Sequence, residues 1–189
     1  KIMPQLLTQQ REAMSKGWDL LLAQDPTNSA AKVKERLNTF LEKQSISSAL
    51  EVCPDEDWAN LLPIPRIAME NGKKDDAVAM YNVLQVLRPD EPQPYVGNFT
   101  IVWERAGVQV AADCYRLMMP FVLSPTYFYY AADCFQHAGE IEEAKETLQA
   151  AIDLLENEEL GFSIDPELKA DIYAFRDELK APATGQDLA

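Results

Sequence analysis

Apolar residues recur at helical spacing along most of the chain, and each run ends at a Pro, Gly, Asn or Asp cluster. Met3, Leu7, Met14, Trp18, Leu21 and Leu22 fall on one face of a first helix, which Asp25-Pro26-Thr27-Asn28 ends. Ala30, Val33, Leu37, Phe40 and Leu41 form the face of a second, with Asn28 or Ser29 as its N-cap. Between 45 and 65 the pattern weakens. Ser45 caps a short helix through Leu50 and Cys53, and Pro54, Pro63 and Pro65 make the next helix short or kinked. Three later segments then share a 34-residue frame: Gly72, Ala77, Tyr81, Leu84 and Pro89; Ala106, Ala111, Tyr115 and Met118; Gly139, Ala144, Leu148 and Ala151. Each reads as a hairpin in which a small residue of one helix packs against a large residue of the other, with turns at Asn71-Gly72 and at Gly139. In the middle hairpin the first helix spans about 93–106, with Tyr95, Phe99, Val102 and Trp103 bulky, and the second starts near Val110. Asp165-Pro166-Glu167 opens a last helix whose apolar face is Leu168, Ile172, Phe175 and Leu179.

This small-then-large spacing is that of a tetratricopeptide repeat. The fold predicted is all-α: a right-handed superhelix of helix hairpins with extra N-terminal helices and a C-terminal capping helix. The divisions are 1–56 for the N-terminal helices, 57–156 for three repeats (57–91, 92–124 and 125–156), 157–181 for the capping helix and 182–189 for a disordered tail. The N-terminal apolar face has two uses open to it. It covers the end of the stack, or Leu7, Met14, Trp18 and Leu21 form a dimer interface.

Composition removes several function classes. At 189 residues, 47% hydrophobic and 25% charged, the chain has apolar side chains enough for a core. Asp and Glu outnumber Lys and Arg by 31 to 17, and a net charge of -14 repels nucleic-acid phosphates. The three cysteines, Cys53, Cys114 and Cys134, sit in apolar helical stretches at wide spacing, as buried small hydrophobes in a reducing compartment do. With a single His and no paired Cys motif, no metal site is expected. No phosphate loop and no nucleophile with a placed base occur, so neither an enzyme nor a cofactor is expected. No apolar run reaches membrane-spanning length, so no direct membrane binding is expected and cytoplasmic residence is. The chain opens at Lys1 with neither an initiator Met nor a signal-peptide pattern, which predicts a trimmed chain.

Counting positions along the first helix of each hairpin places Leu62, Arg66 and Met69, then Val96, Thr100 and Trp103, then Tyr129, Asp133 and Gln136 on one concave surface. That is an apolar groove with polar edges, suited to an extended peptide with aliphatic anchors. Trp103 and Tyr129 fit equally well in the seam with a neighbouring repeat, whereas Arg66 and Asp133 are charged and so belong at a surface. His137 and the acids Glu140, Glu142, Glu143 and Glu146 read as solvated, with a docking patch for a basic partner as the other use of the acids.

Residues 124–144, SPTYFYYAADCFQHAGEIEEA, resemble the signature stretch of the class II chaperones of bacterial type III secretion, the LcrH/SycD family. Gly72-Lys73-Lys74-Asp75-Asp76-Ala77 with Tyr81, and Tyr95-Val96-Gly97, stand where that family has similar motifs, and the resemblance covers about 57–180. The sequence departs from the family at Pro63 and Pro65, in the non-aromatic Leu62, Arg66 and Met69, and in a longer N-terminal segment. The resemblance implies a bacterial cytoplasmic chaperone that binds secreted hydrophobic translocator proteins through the groove and keeps them soluble before export, with a homodimer possible. The rival reading is a non-enzymatic repeat scaffold, needle-subunit chaperone or sorting component of the same apparatus. A co-chaperone that clamps a C-terminal carboxylate would need cations where Leu62 and Val96 stand.

Overall fold

The computed structural model describes the backbone of residues 2–43 and 52–180, and the side chains of 12–40 and 52–180. The helix expected from Ser45 through Leu50 and the tail expected at 182–189 lie outside the described residues. Every regular element among the described residues is helical. In chain order these are α1 (Ile2–Gln24), α2 (Ser29–Lys43), α3 (Asp55–Leu61), α4 (Pro63–Glu70), α5 (Lys74–Leu87), α6 (Gln93–Ala106), α7 (Val108–Met118), α8 (Pro125–His137), α9 (Ile141–Glu156) and α10 (Pro166–Lys180). They fall into two compact units, Lys1–Ile101 and Val102–Ala189, whose boundary lies within α6. The small residues Ala77, Ala111 and Ala144 that mark the frame follow one another at 34 and then 33 residues.

Unit 1 is built around the packing of α1 on α5. A Cβ on Gly17 would collide with the carbonyl oxygen of Ala79 and with Val83, so α1 reaches this closeness only because it has no side chain there. Trp18, Leu21, Ala30, Val33, Leu61, Met80, Val83 and Leu84 close the core around that crossing. Gly97 plays the same part for α6, with the Tyr81 ring lying where its Cβ would be.

The loop from α1 to α2 is capped from further back than Asn28 or Ser29. The Asp25 carboxylate accepts from the Thr27 amide at 2.8 Å and the Ala30 amide at 2.6 Å, and Asn28 itself takes a positive φ of 62°. Burial works to raise the Asp25 pKa, and these hydrogen bonds outweigh it and hold the group below its ordinary value. The prolines divide the first repeat helix as their chemistry requires: α3 stops at Leu61, Leu62 keeps helical dihedrals, and α4 starts at Pro63. Cys53 is not helical; it lies in the bend before α3, because Arg88 draws its carbonyl to the end of α5 with donations of 3.2 and 2.8 Å. The same guanidinium reaches Asp55 at 2.6 Å and lies over the Trp58 ring at 5.1 Å. On the other side of α3, buried Asp57 receives a 2.5 Å bond from Arg36 of α2.

In unit 2, α8 packs on α9, and Ala131 and Ala132 of α8 and Ala144 and Ala151 of α9 are fully buried. Gly139 makes their turn at φ 81°, as Gly72 does between α4 and α5 at φ 77°. α7 starts at Val108, two residues before the expected Val110, because Gly107 at φ 95° completes the turn early. Tyr127 is fully buried and donates its hydroxyl to the Tyr115 carbonyl at 2.8 Å, which satisfies the one polar atom that burial would strand. Arg116 of α7 grips Glu143 through two bonds of 2.9 and 2.8 Å and Glu140 through one of 2.6 Å, and it covers the Phe135 ring at 5.2 Å.

Replacing Gly17 with Ala forces α1 off α5. The expected result is a loss of about 1–3 kcal/mol in denaturant unfolding, the cost of overpacking a filled interface. An unchanged midpoint would show that this crossing does not carry unit 1.

Candidate functional site

Unit 2 contains an open groove between α8 and α10. From α8 it is lined by Tyr129, Asp133, Gln136 and His137, at the i, i+4, i+7 spacing that puts them on one face. From α10 it is lined by Asp171, Ala174, Phe175 and Glu178, again one helical face, and it encloses about 730 Å³. Both helices are positioned from their first turns. Ser124 is extended before Pro125 at the head of α8, and the Asp165 carboxylate accepts from the Glu167 amide at 2.8 Å at the head of α10. Ala132, Leu148, Ile152, Ile172 and Phe175 then bury the inner faces of both against α9.

Aromatic edges form the apolar part of the groove. Tyr129 meets Phe175 edge to face at 6.0 Å and Tyr130 at 5.2 Å. Trp103 stands edge-on to the His137 ring at 5.0 Å. His137 Nδ1 lies 2.9 Å from the Asp133 carbonyl oxygen and 3.5 Å from its carboxylate, so the tautomer with the proton on Nδ1 is the one that satisfies the contact. Burial lifts the Asp133 pKa above the ordinary carboxylate value, and the nearby imidazole opposes this only in part. Burial, followed by the charges of Asp171 and Asp133, also raises that of the Tyr129 phenol. No cluster of His, Cys, Asp and Glu able to hold a metal occurs among the described residues. The groove offers apolar edges and hydrogen-bond acceptors, the equipment of a binding surface.

The structure thus brings together Tyr129, Asp133 and Gln136 in one groove, with Trp103 on the His137 ring. The other positions expected on the binding surface lie in unit 1. Leu62 and Met69 pack against its core, Arg66 is exposed and pairs with Glu70 at 3.1 Å, Val96 is half-buried, and the Thr100 hydroxyl donates to the Val96 carbonyl at 2.9 Å. Of the residues placed on a dimer interface, Trp18 and Leu21 are buried in the unit 1 core and Met14 packs against it. The side chain of Leu7 lies outside those described. Nor are the four acids a uniform solvated face: Glu140 and Glu143 are held by Arg116, and Glu142 pairs with Lys145 at 2.8 Å. The Arg116 hydrogen bond, ahead of the opposing effect of burial, keeps Glu143 below its usual value.

Sequence reasoning missed the α10 wall of the groove. Asp171 and Glu178 stand seven residues apart beside the apolar Phe175, the one sequence signal of that wall, and a capping helix can carry such a pattern without facing a groove.

Helix hairpins whose partners interlock through small residues define an all-α protein of the tetratricopeptide-like class. Within that class the chain is similar in fold to PcrH from Pseudomonas aeruginosa, with a TM-score of 0.50 at 18% identity over 68% of this chain and 95% of that one. It also aligns with the type III secretion chaperone SycD of Yersinia enterocolitica, solved with a peptide of the translocator YopD, at a TM-score of 0.48, 21% identity, and 67% and 95% coverage. A type III secretion complex from Aeromonas hydrophila aligns at 0.47 with 22% identity over 76% of this chain and 94% of that one. No protein-family model matches the chain, and no curated protein matches it.

The raised Asp133 pKa has a consequence for stability. A carboxyl that holds its proton more tightly when folded than when unfolded destabilises the fold above its unfolded pKa, and this penalty is relieved as pH falls. Asp133→Asn is therefore expected to raise the melting temperature at pH 7. The difference from the parent should shrink as pH drops through the carboxylate range. A lower melting temperature at pH 7 would show that the carboxylate stabilises unit 2.

Proposed function

We propose that this chain is a chaperone of bacterial type III secretion that holds hydrophobic translocator proteins in the cytoplasm, soluble and unassembled, until export. The observation that carries the reading is the coincidence of two things in the hairpin α8–α9. Its sequence is the stretch that resembles the class II secretion chaperones, and its exposed face supplies Tyr129, Asp133 and Gln136 to the groove. The fold likeness to PcrH is in keeping with this. Translocators contain membrane-inserting helices that aggregate when left in water, so a carrier must offer them apolar contact while staying soluble. A net charge of -14 meets the second need, and Tyr129 and Phe175 in the groove offer apolar surface toward the first. Trp103, Tyr129 and Gln136, all in unit 2, contact the client segment in this reading.

Among the described residues no helix is long and apolar enough to cross a membrane. A homodimer remains part of the proposal, without Trp18 and Leu21 as its contacts. The role is one of binding rather than catalysis.

Co-expression with a membrane-inserting translocator, followed by measurement of the soluble client fraction, tests the proposal. The parent should keep the client soluble. Trp103→Ala and Tyr129→Ala should each weaken binding by roughly tenfold, as loss of an aromatic anchor does, with unchanged helical circular dichroism. If both variants hold the client as the parent does, the groove is not the client site. If the parent retains only a small needle-type subunit, the rival scaffold reading replaces this one.

A further inference from the structure

We propose that the groove between α8 and α10 selects a basic residue: it takes a lysine or arginine side chain carried by an otherwise apolar client segment. The aliphatic stem would lie on Tyr129 and Phe175, and the charged head among Asp133, Asp171 and Glu178. The inference deepens the chaperone reading and rests on it.

The feature is a groove with aromatic walls, and its occupant follows from charge complementarity. Three of the eight lining residues are carboxylates and none is Lys or Arg. Several other acids of unit 2 are engaged. Asp113, Glu140 and Glu143 share Arg116, Glu142 has Lys145, Asp177 has Arg176, and Glu156 accepts from the Tyr173 hydroxyl. In the groove, Asp171 and Glu178 have no hydrogen-bond or ion-pair partner among the described residues, and the Asp133 carboxylate has only His137 at 3.5 Å. Burial already disfavours the charged form of Asp133, so a cation arriving there relieves a cost that the empty groove carries.

The apolar half of the site matters equally. Lys and Arg are amphipathic, with methylene stems that pack on apolar surface while the head stays among acceptors. Tyr129 and Phe175, crossed edge to face at 6.0 Å, present that surface beside the carboxylates. A purely aliphatic anchor would fill the aromatic part and leave the three acids with nothing to answer them. An acidic anchor would be repelled. For a carrier of membrane-inserting segments such a site gives register, because the charges that flank an apolar helix mark where it ends.

Two synthetic peptides test this, acetyl-Ala-Leu-Ala-Lys-Ala-Leu-Ala-amide and the same peptide with norleucine in place of lysine, titrated into the full chain by calorimetry. The lysine peptide should bind roughly tenfold more tightly than its uncharged counterpart, the size of one charge-assisted contact at a half-open site. That preference should shrink as salt rises. The double substitution Asp171→Asn with Glu178→Gln, both at exposed positions, should abolish the preference. The double substitution Asp19→Asn with Glu56→Gln removes the same net charge from exposed positions in unit 1 and should leave the preference intact. Equal binding of the two peptides overturns the inference. So does a preference that survives the groove substitutions or is lost in the unit 1 control, since either would assign it to bulk charge. The client-solubility measurement separates the two levels of the argument. A parent that keeps the translocator soluble yet ignores the lysine overturns the basic-residue site alone. A groove-dependent lysine preference in a parent that cannot hold the client overturns the chaperone reading and leaves the groove's selectivity standing.

Discussion

Helices can be packed this closely only where one partner gives up its side chain, and the rest of the structure depends on that constraint. Gly17 yields to the Ala79 carbonyl, Gly97 yields to the Tyr81 ring, and α8 and α9 carry the fully buried alanines Ala131, Ala132, Ala144 and Ala151. The large residues then fill what the small ones leave open. Tyr127, Phe135, Leu148 and Ile152 in unit 2, and Leu21, Leu61, Met80 and Leu84 in unit 1, are all essentially without solvent exposure. Each buried side chain of this size contributes on the order of 1.5–3 kcal/mol. The contribution is available only at the separation that the small residues set.

Charge is distributed with comparable economy. With 17 cationic side chains against 31 acidic ones, cations are scarce, and one arginine in each unit ties separate segments together. Arg88 ties the segment before α3 to the end of α5, and Arg116 ties α7 to the start of α9. Both also lie over aromatic rings, Trp58 and Phe135, so their packing counts as well as their charge. Arg116 is partly exposed, so each of its pairs is worth about 1 kcal/mol or less rather than several. Cations used internally are unavailable to the remaining acids.

The sequence was most legible where spacing alone decides structure. Gly72, Gly139, Pro125 and Pro166 mark turns and helix starts through backbone chemistry that tertiary context does not override. The division at Leu62 was foreseeable for the same reason, since a proline lacks the amide that would continue the helix. Partner choice was harder to read. Glu140 and Glu143 look like any solvated acids until Arg116, 24 and 27 residues away, is folded onto them. The cap on α2 comes from Asp25, outside the usual N-cap position, because an Asx-type loop bends the chain back. Tyr129, Asp133 and Gln136 could be found because they belong to one helix face, while their counterparts Asp171 and Glu178 required knowing which helix lies opposite.

The last helix joins stability to binding. Ile172 and Phe175 bury against α8 and α9, and Phe175 with its neighbours Asp171 and Glu178 also makes one side of the groove. A helix that only covered an apolar end would need no more than a polar outer face, which scattered lysines and glutamates supply equally well. Here the residues beside the core contact are two acids without partners, facing a third on α8 that burial has made costly to ionise. Burial of the Asp133 carboxylate lowers stability when that group is ionised, and a cation bound beside it offsets the cost. Asp171 and Glu178 stand one turn before and one turn after the Phe175 that closes the core. An occupant that neutralises the groove would therefore tighten α10 on unit 2 as it binds.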